Sequence, residues 1–331
     1  MSFWIVFAVF LSLCLFGAVV FIMSAGVILY LTSLTNDHAH LDTKSVSQAE
    51  HTTVMKAHTR DPRVMEPLNA AKERWYARVD SGEVEPITVH SFDGLLLSGW
   101  LWKVPDAANC AVIVHGMQDS GAGMGYQAEE YHGNGWNVLV IDQRAHGESE
   151  GTKRTMGVRE ADDIGAWLLD LEKRLPGSRV FLHGVSMGAA TVLLYGGKAK
   201  SISPLVKGII ADSSYAAYAP VFLRLIRMIF PNRVMSFALL AGADLASLVL
   251  SGIGFSRMTP KNALKSIPVP VILFHGQKDV LVPIGMARSF LAAADSLAFE
   301  VVVIPDAPHI GAYFYAPELY MKKIIDLSGR V

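Results

Sequence analysis

The sequence predicts an α/β fold with a mostly parallel, doubly wound sheet, preceded by one amino-terminal transmembrane helix. Strand-like and helix-like segments alternate from residue 85 onwards, which is typical of such a sheet. An Asp93-Gly94 turn between two apolar segments predicts a hairpin at its start. The first 36 residues hold 27 apolar side chains and no charge, whereas all 29 basic and 30 acidic residues follow Asn36.

The apolar run from Phe3 to Leu34 predicts a single-pass anchor over residues 1–36, and hence a protein of the cell membrane. A spanning helix needs about 20 apolar residues, and this run exceeds that length. A cleaved signal peptide is the alternative, but it would need a basic start and an apolar stretch of only about 7–15 residues. Because Lys44 is the only basic residue near the far end, the side of the membrane that carries the domain stays open.

The polar composition of residues 37–85 predicts a juxtamembrane connector with a short helix over 67–79. It contains four histidines, at positions 38, 40, 51 and 58, for which a metal site is the alternative interpretation. No pattern of cysteine or carboxylate ligands accompanies them, so a solvated connector is favoured and neither a metal nor a cofactor is expected.

Residues 86–331 predict one domain, made of the hairpin and repeating strand–helix units. Strands are predicted over 86–92, 95–104, 110–114, 136–141, 179–182, 206–211, 269–274 and 299–304, and helices over 124–134, 158–175, 187–198, 283–294 and 316–327. Ligands bind at the carboxyl ends of the strands in such sheets, so reactive residues are sought there.

The composition argues against several other classes of protein. Nearly equal numbers of basic and acidic residues give a net charge of −1 and no electrostatic footprint for nucleic acid. Two cysteines cannot build a disulfide scaffold. The glycine-rich run over 121–125 lacks both G-x-G-x-x-G and the P-loop lysine, so nucleotide chemistry is not predicted.

Ser186 is the predicted nucleophile, because residues 184–188 read Gly-Val-Ser-Met-Gly between an apolar strand and a helix. In such a G-x-S-x-G turn the flanking glycines leave room for a tight backbone around the serine. The amino end of the following helix also favours developing negative charge.

A serine hydroxyl needs a basic histidine, and the chain offers only His275 and His309 after Ser186. His275 belongs to a pattern shared with His115 and His183, since each ends an apolar strand just before a glycine. Such positions are expected to shape the floor of the site. His309, on the loop after the last strand, is therefore the predicted base.

The histidine needs an orienting acid, which in this chain order falls between the serine and the histidine. Asp279 follows the penultimate strand and is the predicted acid. Asp212, at the end of another strand, and Asp306, on the same loop as His309, are the alternatives, and both are expected to be structural.

An oxyanion hole requires preorganised backbone donors. The amide of Met187, directly after the nucleophile, is the first predicted donor. The second is expected from the turn after the first parallel strand, where Met117 is the preferred candidate and Gln118 the next.

Over residues 60–328 the sequence resembles serine hydrolases of the α/β-hydrolase superfamily, in particular bacterial membrane-anchored Bem46-like proteins and the serine aminopeptidase–monoacylglycerol lipase group. The resemblance implies the α/β-hydrolase fold, and it implies Ser186, Asp279 and His309 as a catalytic triad. It also implies that the turn over 142–149, with His146, is structural; Ala145 stands where glycine is frequent. The motifs that carry it are S-F-D-G at 91–94, H-G at 115–116, D-Q-R-A-H-G-E-S at 142–149, G-V-S-M-G-A-A at 184–190, H-G-Q-K-D at 275–279 and P-H at 308–309.

An apolar insertion separates Asp212 from Val269 and predicts a helical lid at about 213–262. Residues 216–258 include 28 apolar side chains among 43, together with Asp244 and the basic residues Arg224, Arg227, Arg233 and Arg257. One interpretation is a cap packed on the core. The other is a lid whose apolar face accepts an acyl chain or touches the bilayer, with arginines facing lipid phosphates.

The expected activity is hydrolysis of an ester, with a lipophilic acyl ester as the suggested substrate, through an acyl-enzyme. The expected partners are a small-molecule ester or lipid and the membrane. A serine peptidase acting on short peptides is the alternative enzyme, although no acidic pair for gripping a peptide amino terminus is recognisable. A catalytically inactive, membrane-tethered binding protein is a third reading, and the complete set of three candidate residues argues against it.

Overall fold

The computed structural model describes residues 3–34, 61–198, 202–294 and 299–331. The chain forms two compact units: unit 1 comprises residues 1–35 and 218–258, and unit 2 comprises residues 36–217 and 259–331. The apolar insertion thus falls mainly in unit 1. The histidines at 38, 40, 51 and 58, and residues 37–60 of the predicted connector, lie outside the described residues.

Unit 2 is built on an eight-stranded sheet, counted over the described residues, in the order β1-β2-β4-β3-β5-β6-β7-β8. Strands β1 and β2 form the predicted antiparallel hairpin, β2 also pairs antiparallel with β4, and the remaining pairs are parallel. The predicted mostly parallel α/β class is therefore confirmed. The strands are β1 Glu85–His90, β2 Leu96–Trp102, β3 Asn109–Val114, β4 Asn137–Ile141, β5 Arg179–Val185, β6 Val206–Asp212, β7 Val271–Gly276 and β8 Phe299–Ile304.

Helices pack on both faces of this sheet because the central strands are apolar on both sides. Alternate residues of β3 show the division: Val112 belongs to one buried cluster, and Ala111 and Ile113 belong to the other. The first cluster includes α4 (Glu160–Arg174), α5 (Met187–Gly196) and α8 (Ile284–Leu291); the second includes α2 (Pro62–Asp80), α3 (Gly125–Gly133), α9 (Ala312–Tyr315) and α10 (Pro317–Gly329).

Helix α2 corrects the connector predicted over 37–85. Its residues 62–80 form a helix of 19 residues that belongs to unit 2, longer than the helix expected over 67–79. Ala71 and Trp75, one turn apart, are both 1% exposed and join the second buried cluster. The mainly polar composition concealed this narrow apolar face, so the structured domain begins well before residue 86.

The buried ion pair of Arg144 with Asp163 extends to Asp93 in the hairpin turn and supports a stability prediction. Arg144 donates to both carboxylate oxygens of Asp163 at 2.6 Å and to those of Asp93 at 2.9 and 3.0 Å. Removing one partner of a buried pair leaves an uncompensated charge, which costs about 3–5 kcal/mol. We therefore expect Arg144→Ala to lower the free energy of unfolding by about that amount in urea denaturation.

Lys322→Ala is the matched control, because the Lys322–Asp326 pair is exposed at the surface. It should leave the unfolding midpoint unchanged. Equal midpoints for wild type and Arg144→Ala would show that the network contributes no net stability.

Unit 1 consists of helices, as the apolar insertion predicted, but the role of a lid stays a prediction. It contains α1 (Phe3–Leu34), α6 (Tyr218–Ile229), α7 (Arg233–Ser251) and a 3₁₀ turn, Phe255–Arg257. Asn232 caps α7 by accepting from the amide of Met235 at 3.0 Å, and Gly252 ends it in a left-handed conformation. Within the described residues, α7 is long and apolar enough to cross a membrane, a property that buried helices of soluble proteins can share, and α1 contributes the shorter apolar stretches Phe3–Ser12 and Ser24–Leu34.

Candidate active site

Ser186 lies in a strained turn between β5 and α5, at the carboxyl edge of the sheet. Its backbone has φ 55° and ψ −111°, a conformation that side-chain-bearing residues rarely adopt. A Cβ on Gly184 would lie 2.1 Å from the carbonyl oxygen of Gly188, and one on Gly188 would lie 2.0 Å from that of Val114. Both glycines of the motif are therefore required for the turn to form.

The three residues predicted as a triad lie together, although they come from three separate loops. Ser186 Oγ donates to His309 Nε2 at 2.9 Å, and His309 Nδ1 donates to Asp279 Oδ2 at 2.7 Å. His309 is 3% exposed and Asp279 5% exposed, so this pair is shielded from water, whereas Ser186 is only partly buried. The arrangement leaves Nε2 free to take a proton from the hydroxyl.

Asp279, rather than Asp306, faces the imidazole because its turn fixes the carboxylate. Asp279 Oδ1 accepts from the backbone amides of Leu281 at 3.0 Å and Val282 at 2.7 Å, which leaves Oδ2 for His309. Asp306 is exposed and pairs with Lys278 at 2.7 Å. Asp279 is thus the carboxylate beside the imidazole, and its role as the catalytic acid stays a prediction.

Asp212, which the sequence predicted to be structural, supports the turn that carries Ser186. Its carboxylate accepts from Tyr320 Oη and from Ser213 Oγ, both at 2.9 Å, and its backbone carbonyl accepts from the amide of Ser186 at 2.8 Å. Ser213 Oγ in turn accepts from the amide of Ile310 at 3.1 Å. Asp212 thus connects the nucleophile turn to the loop that carries the base.

Ile310 needs this connection because its φ is 56°, a left-handed conformation that is strained for a β-branched residue. The Ser213 hydroxyl holds its amide and so fixes the backbone directly after His309. The two polar residues Asp212 and Ser213 after an apolar strand were the only sequence signal for this contact.

The pKa of His309 lies above its ordinary value of 6.5. Burial lowers this pKa, but the Coulombic attraction and hydrogen bond of Asp279 raise it, and the charge of Asp212 raises it further. Burial in turn raises the pKa of Asp212 to about 6. The site therefore favours the imidazolium that forms when a serine proton is taken.

The turn after β3 lies beside the nucleophile, where a second oxyanion donor is predicted. A Cβ on Gly116 would lie 3.4 Å from Ser186 Cβ, and Met117 follows directly. His115 fixes this turn: its Nε2 accepts from the amide of Gln143 at 3.0 Å, so its Nδ1 carries the proton and donates to the Gly116 carbonyl at 2.6 Å.

Met187 is the first residue of α5, and amides in the first turn of a helix have no acceptor within that helix. Its side chain is buried, so the role predicted for it rests on the backbone alone. The assignment of Met117 and Met187 as donors stays a prediction.

His183 and His275, expected on the floor of the site, are both completely buried. His183 bonds to Tyr131 Oη and Tyr320 Oη at 2.9 Å, and burial lowers its pKa to about 3. His275 Nε2 donates to the carbonyl of Val282 at 2.7 Å. Among the described residues, no group of three or more His, Cys, Asp or Glu side chains has a geometry that could hold a metal ion.

The chain is similar in sequence to one described family and to several bacterial proteins. Residues 105–251 match the family described as serine aminopeptidase, S33. YqkD, an uncharacterised protein of Bacillus subtilis, is 28% identical over 204 residues, a match that covers 61% of this chain and 65% of that protein, slightly less than two thirds of its length. YfhR, an uncharacterised protein of Escherichia coli K12, is 22% identical over 259 residues, covering 75% and 81%.

Solved structures with the same fold include two esterases and a lipase. An esterase of Pyrococcus furiosus aligns with a TM-score of 0.61 at 24% identity, over 75% of this chain and 91% of that one. A thermophilic esterase from Thermogutta terrifontis aligns with a TM-score of 0.52 at 20% identity, over 74% and 98%. A monoacylglycerol lipase of Paleococcus ferrophilus aligns with a TM-score of 0.50 at 20% identity, over 70% and 98%.

The sheet order, the G-x-S-x-G turn and these similarities agree on the fold. The described residues have the α/β-hydrolase fold, and residues 105–251 are similar to the family described as serine aminopeptidase, S33. The resemblance recognised in the sequence is thereby confirmed at the level of the fold.

Proposed function

We propose that this protein is a serine hydrolase that cleaves a lipophilic acyl ester through an acyl-enzyme. The observation that carries the proposal is the continuous hydrogen-bond chain from Ser186 Oγ through His309 to Asp279, with both distances below 3 Å. Such a chain supplies an activated nucleophile, a base and an orienting acid in one place.

In the proposed reaction, Ser186 Oγ attacks the acyl carbonyl carbon while its proton passes to His309 Nε2. Asp279 holds Nδ1–H and stabilises the imidazolium without taking the proton itself. The imidazolium then protonates the departing alcohol, which leaves the acyl group on Ser186. A water molecule, deprotonated by the same imidazole, attacks the acyl carbon, and the imidazolium returns that proton to Ser186 Oγ as the carboxylic acid leaves.

The negative charge on the carbonyl oxygen of the tetrahedral intermediate needs fixed donors. We assign this role to the backbone amides of Met187 and Met117. In other enzymes, removal of a single oxyanion donor raises the activation barrier by about 3–4 kcal/mol. The hydrogen bond from His115 to the Gly116 carbonyl supports the assignment, since it holds the Met117 turn beside Ser186.

A lipophilic substrate and a membrane location are part of the same proposal. Helix α1 has 32 residues and no charge, enough to anchor the protein in the cell membrane as a single-pass helix. An anchored enzyme meets esters that partition into the bilayer at high local concentration. The monoacylglycerol lipase among the solved structures of this fold is in keeping with such a substrate.

Hydrolysis of p-nitrophenyl esters of increasing acyl length, in detergent or liposomes, tests the substrate class. We expect kcat/KM to rise from acetate towards medium and long chains, because an apolar acyl group gains roughly 0.8 kcal/mol per buried CH₂. Activity confined to short acyl groups would contradict the lipophilic part of the proposal.

A serine aminopeptidase is the second candidate, because the matching family carries that description. Aminoacyl-p-nitroanilides assayed beside the esters distinguish the two. Turnover of the anilides with a higher kcat/KM than any ester would make the peptidase the better assignment.

The raised pKa of His309 predicts the pH dependence of hydrolysis. The base must be neutral, so kcat/KM should fall on the acid side with a midpoint above 6.5, the ordinary histidine value. Because the charge of Asp212 contributes to that pKa, Asp212→Asn should move the midpoint to lower pH. The measurement is a pH profile of kcat/KM for both proteins.

Asp306→Asn is the control for this shift, since Asp306 is exposed and pairs with Lys278. Its profile should coincide with that of the wild type. If Asp212→Asn lowers activity equally at every pH without moving the midpoint, Asp212 acts on the backbone alone and the electrostatic part of its role is wrong.

A further inference from the structure

After Arg233 at its start, helix α7 of the insertion exposes only apolar side chains, whereas its serines are buried. From Val234 to Leu250, every residue that is exposed is apolar. The most exposed are Val234 at 81% and Val249 at 72%, and they form part of a stripe completed by Met235, Phe237, Ala241, Leu245, Leu248 and Leu250. A helix on a water-facing surface shows the opposite distribution.

The polar side chains of α7 are satisfied within unit 1. Ser236 Oγ donates to the carbonyl of Arg233 at 3.0 Å, Ser247 Oγ to that of Ile253 at 2.6 Å, and Ser251 Oγ to that of Ser247 at 2.7 Å. The one acid of the helix, Asp244, accepts from the amide of Phe255 at 2.6 Å. Internal pairing of this kind is what a non-aqueous surrounding demands.

Helix α1 packs directly on α7 through two glycines. A Cβ on Gly26 would lie 2.3 Å from the carbonyl carbon of Gly242, and a Cβ on Gly242 would lie 2.7 Å from the carbonyl oxygen of Ile22. Only glycine at both positions allows this backbone approach, which is typical of helix pairs in membranes. The insertion and the amino-terminal helix thus form one packed body within unit 1.

The amino-terminal part of α1, residues 3–11, is apolar on every side of the helix. Residues 3–11 are all apolar and all exposed, with Phe3 at 73% and Trp4 at 72%, so every side of the helix is apolar there. Nine consecutive exposed apolar residues on all sides of a helix require a hydrocarbon surrounding. The exposed stripe of α7 belongs to the same unit as this part of α1.

We infer that α7 is a second lipid-contacting element, whose exposed stripe lies against the acyl chains of the bilayer that holds α1. This inference rests on the proposed anchoring by α1 and is independent of the proposed chemistry. Helix α7 is about 28 Å long, close to the roughly 30 Å of hydrocarbon in a bilayer. Only 39% of the most apolar 18-residue stretch of α7 is buried in the protein, whereas a core helix would be mostly buried.

The charges of the insertion fit an anionic lipid surface. Arg224, Arg227 and Arg233 precede the apolar part of α7 and Arg257 follows it, against the single acid Asp244. Arginines flanking an apolar segment suit the phosphates of headgroups. The surface that α7 contacts is therefore a bilayer that contains anionic phospholipid.

The test uses the full chain with Cys14→Ala and one new cysteine carrying the fluorophore NBD, reconstituted in phosphatidylcholine–phosphatidylglycerol vesicles. The test sites are Val249→Cys and Phe237→Cys on the stripe. Leu169→Cys is the matched control, because Leu169 is an apolar residue of unit 2 that is 65% exposed. Phe7→Cys reports on α1 itself. Cys110 is buried and does not compete for the label.

We expect nitroxides on the lipid acyl chains to reduce NBD fluorescence at positions 249 and 237 by several fold, as they should at position 7. Aqueous iodide should quench the fluorescence only at position 169. Quenching at 249 and 237 by iodide, with 7 still quenched by lipid nitroxides, would overturn the inference and leave the anchor standing. Iodide quenching at 7 as well would overturn both. Protection at 249 and 237 from both quenchers would show a protein partner, such as a second copy of the chain, and would also overturn the inference.

Discussion

Replacement of Ser186 by alanine is expected to reduce ester hydrolysis by about 10⁶-fold, as loss of the serine nucleophile does in serine proteases. His309 and the predicted oxyanion amides would remain, but no group could form the acyl-enzyme. The measurement is kcat for the best p-nitrophenyl ester, with the thermal unfolding midpoint as a check on folding.

Ser289→Ala is the matched control for Ser186→Ala. Ser289 lies in α8 and donates only to the carbonyl of Met286, within its own helix, at 2.7 Å. Its variant should hydrolyse the ester at the wild-type rate. If Ser186→Ala retained a substantial part of the wild-type kcat, another residue would be the nucleophile.

Asp279→Asn should reduce kcat by about 10⁴-fold while the fold stays intact. The amide oxygen can still accept from the backbone amides of Leu281 and Val282. The amide nitrogen would then face His309 and donate a hydrogen bond to Nδ1, which selects the wrong tautomer of the imidazole. The measurement is kcat beside the circular dichroism spectrum.

Asp306→Asn distinguishes the predicted acid from its neighbour in sequence. Because Asp306 is exposed and pairs with Lys278, this variant should keep nearly full activity. A 10⁴-fold loss in Asp306→Asn with near-normal activity in Asp279→Asn would reverse the assignment of the acid.

The core of the fold and the hydrogen-bonded residues Ser186, His309 and Asp279 could be predicted from the sequence, because their signals are local. Apolar strands ending in glycine-bordered turns indicate the carboxyl edge of a parallel sheet. The G-x-S-x-G turn is sterically specific, as the clashes expected at Gly184 and Gly188 show. Chain order then leaves few candidates for the base and the acid.

Other features depend on contacts between distant residues and have no local signal. The left-handed backbone of Ile310 and its bond to Ser213 arise from tertiary packing across 97 positions. The approach of Gly26 to Gly242 joins segments that are far apart in sequence. Helix α2 was underestimated because a narrow apolar face is hidden among polar residues.

Covalent labelling with a fluorophosphonate, followed by peptide mapping, tests the central claim most directly. A serine held at 2.9 Å from a basic histidine should form one adduct, on the peptide that contains Ser186, and ester hydrolysis should disappear in proportion to the labelled fraction. An adduct on a different residue, or undiminished hydrolysis by the fully labelled protein, would contradict the assignment of Ser186 as the nucleophile.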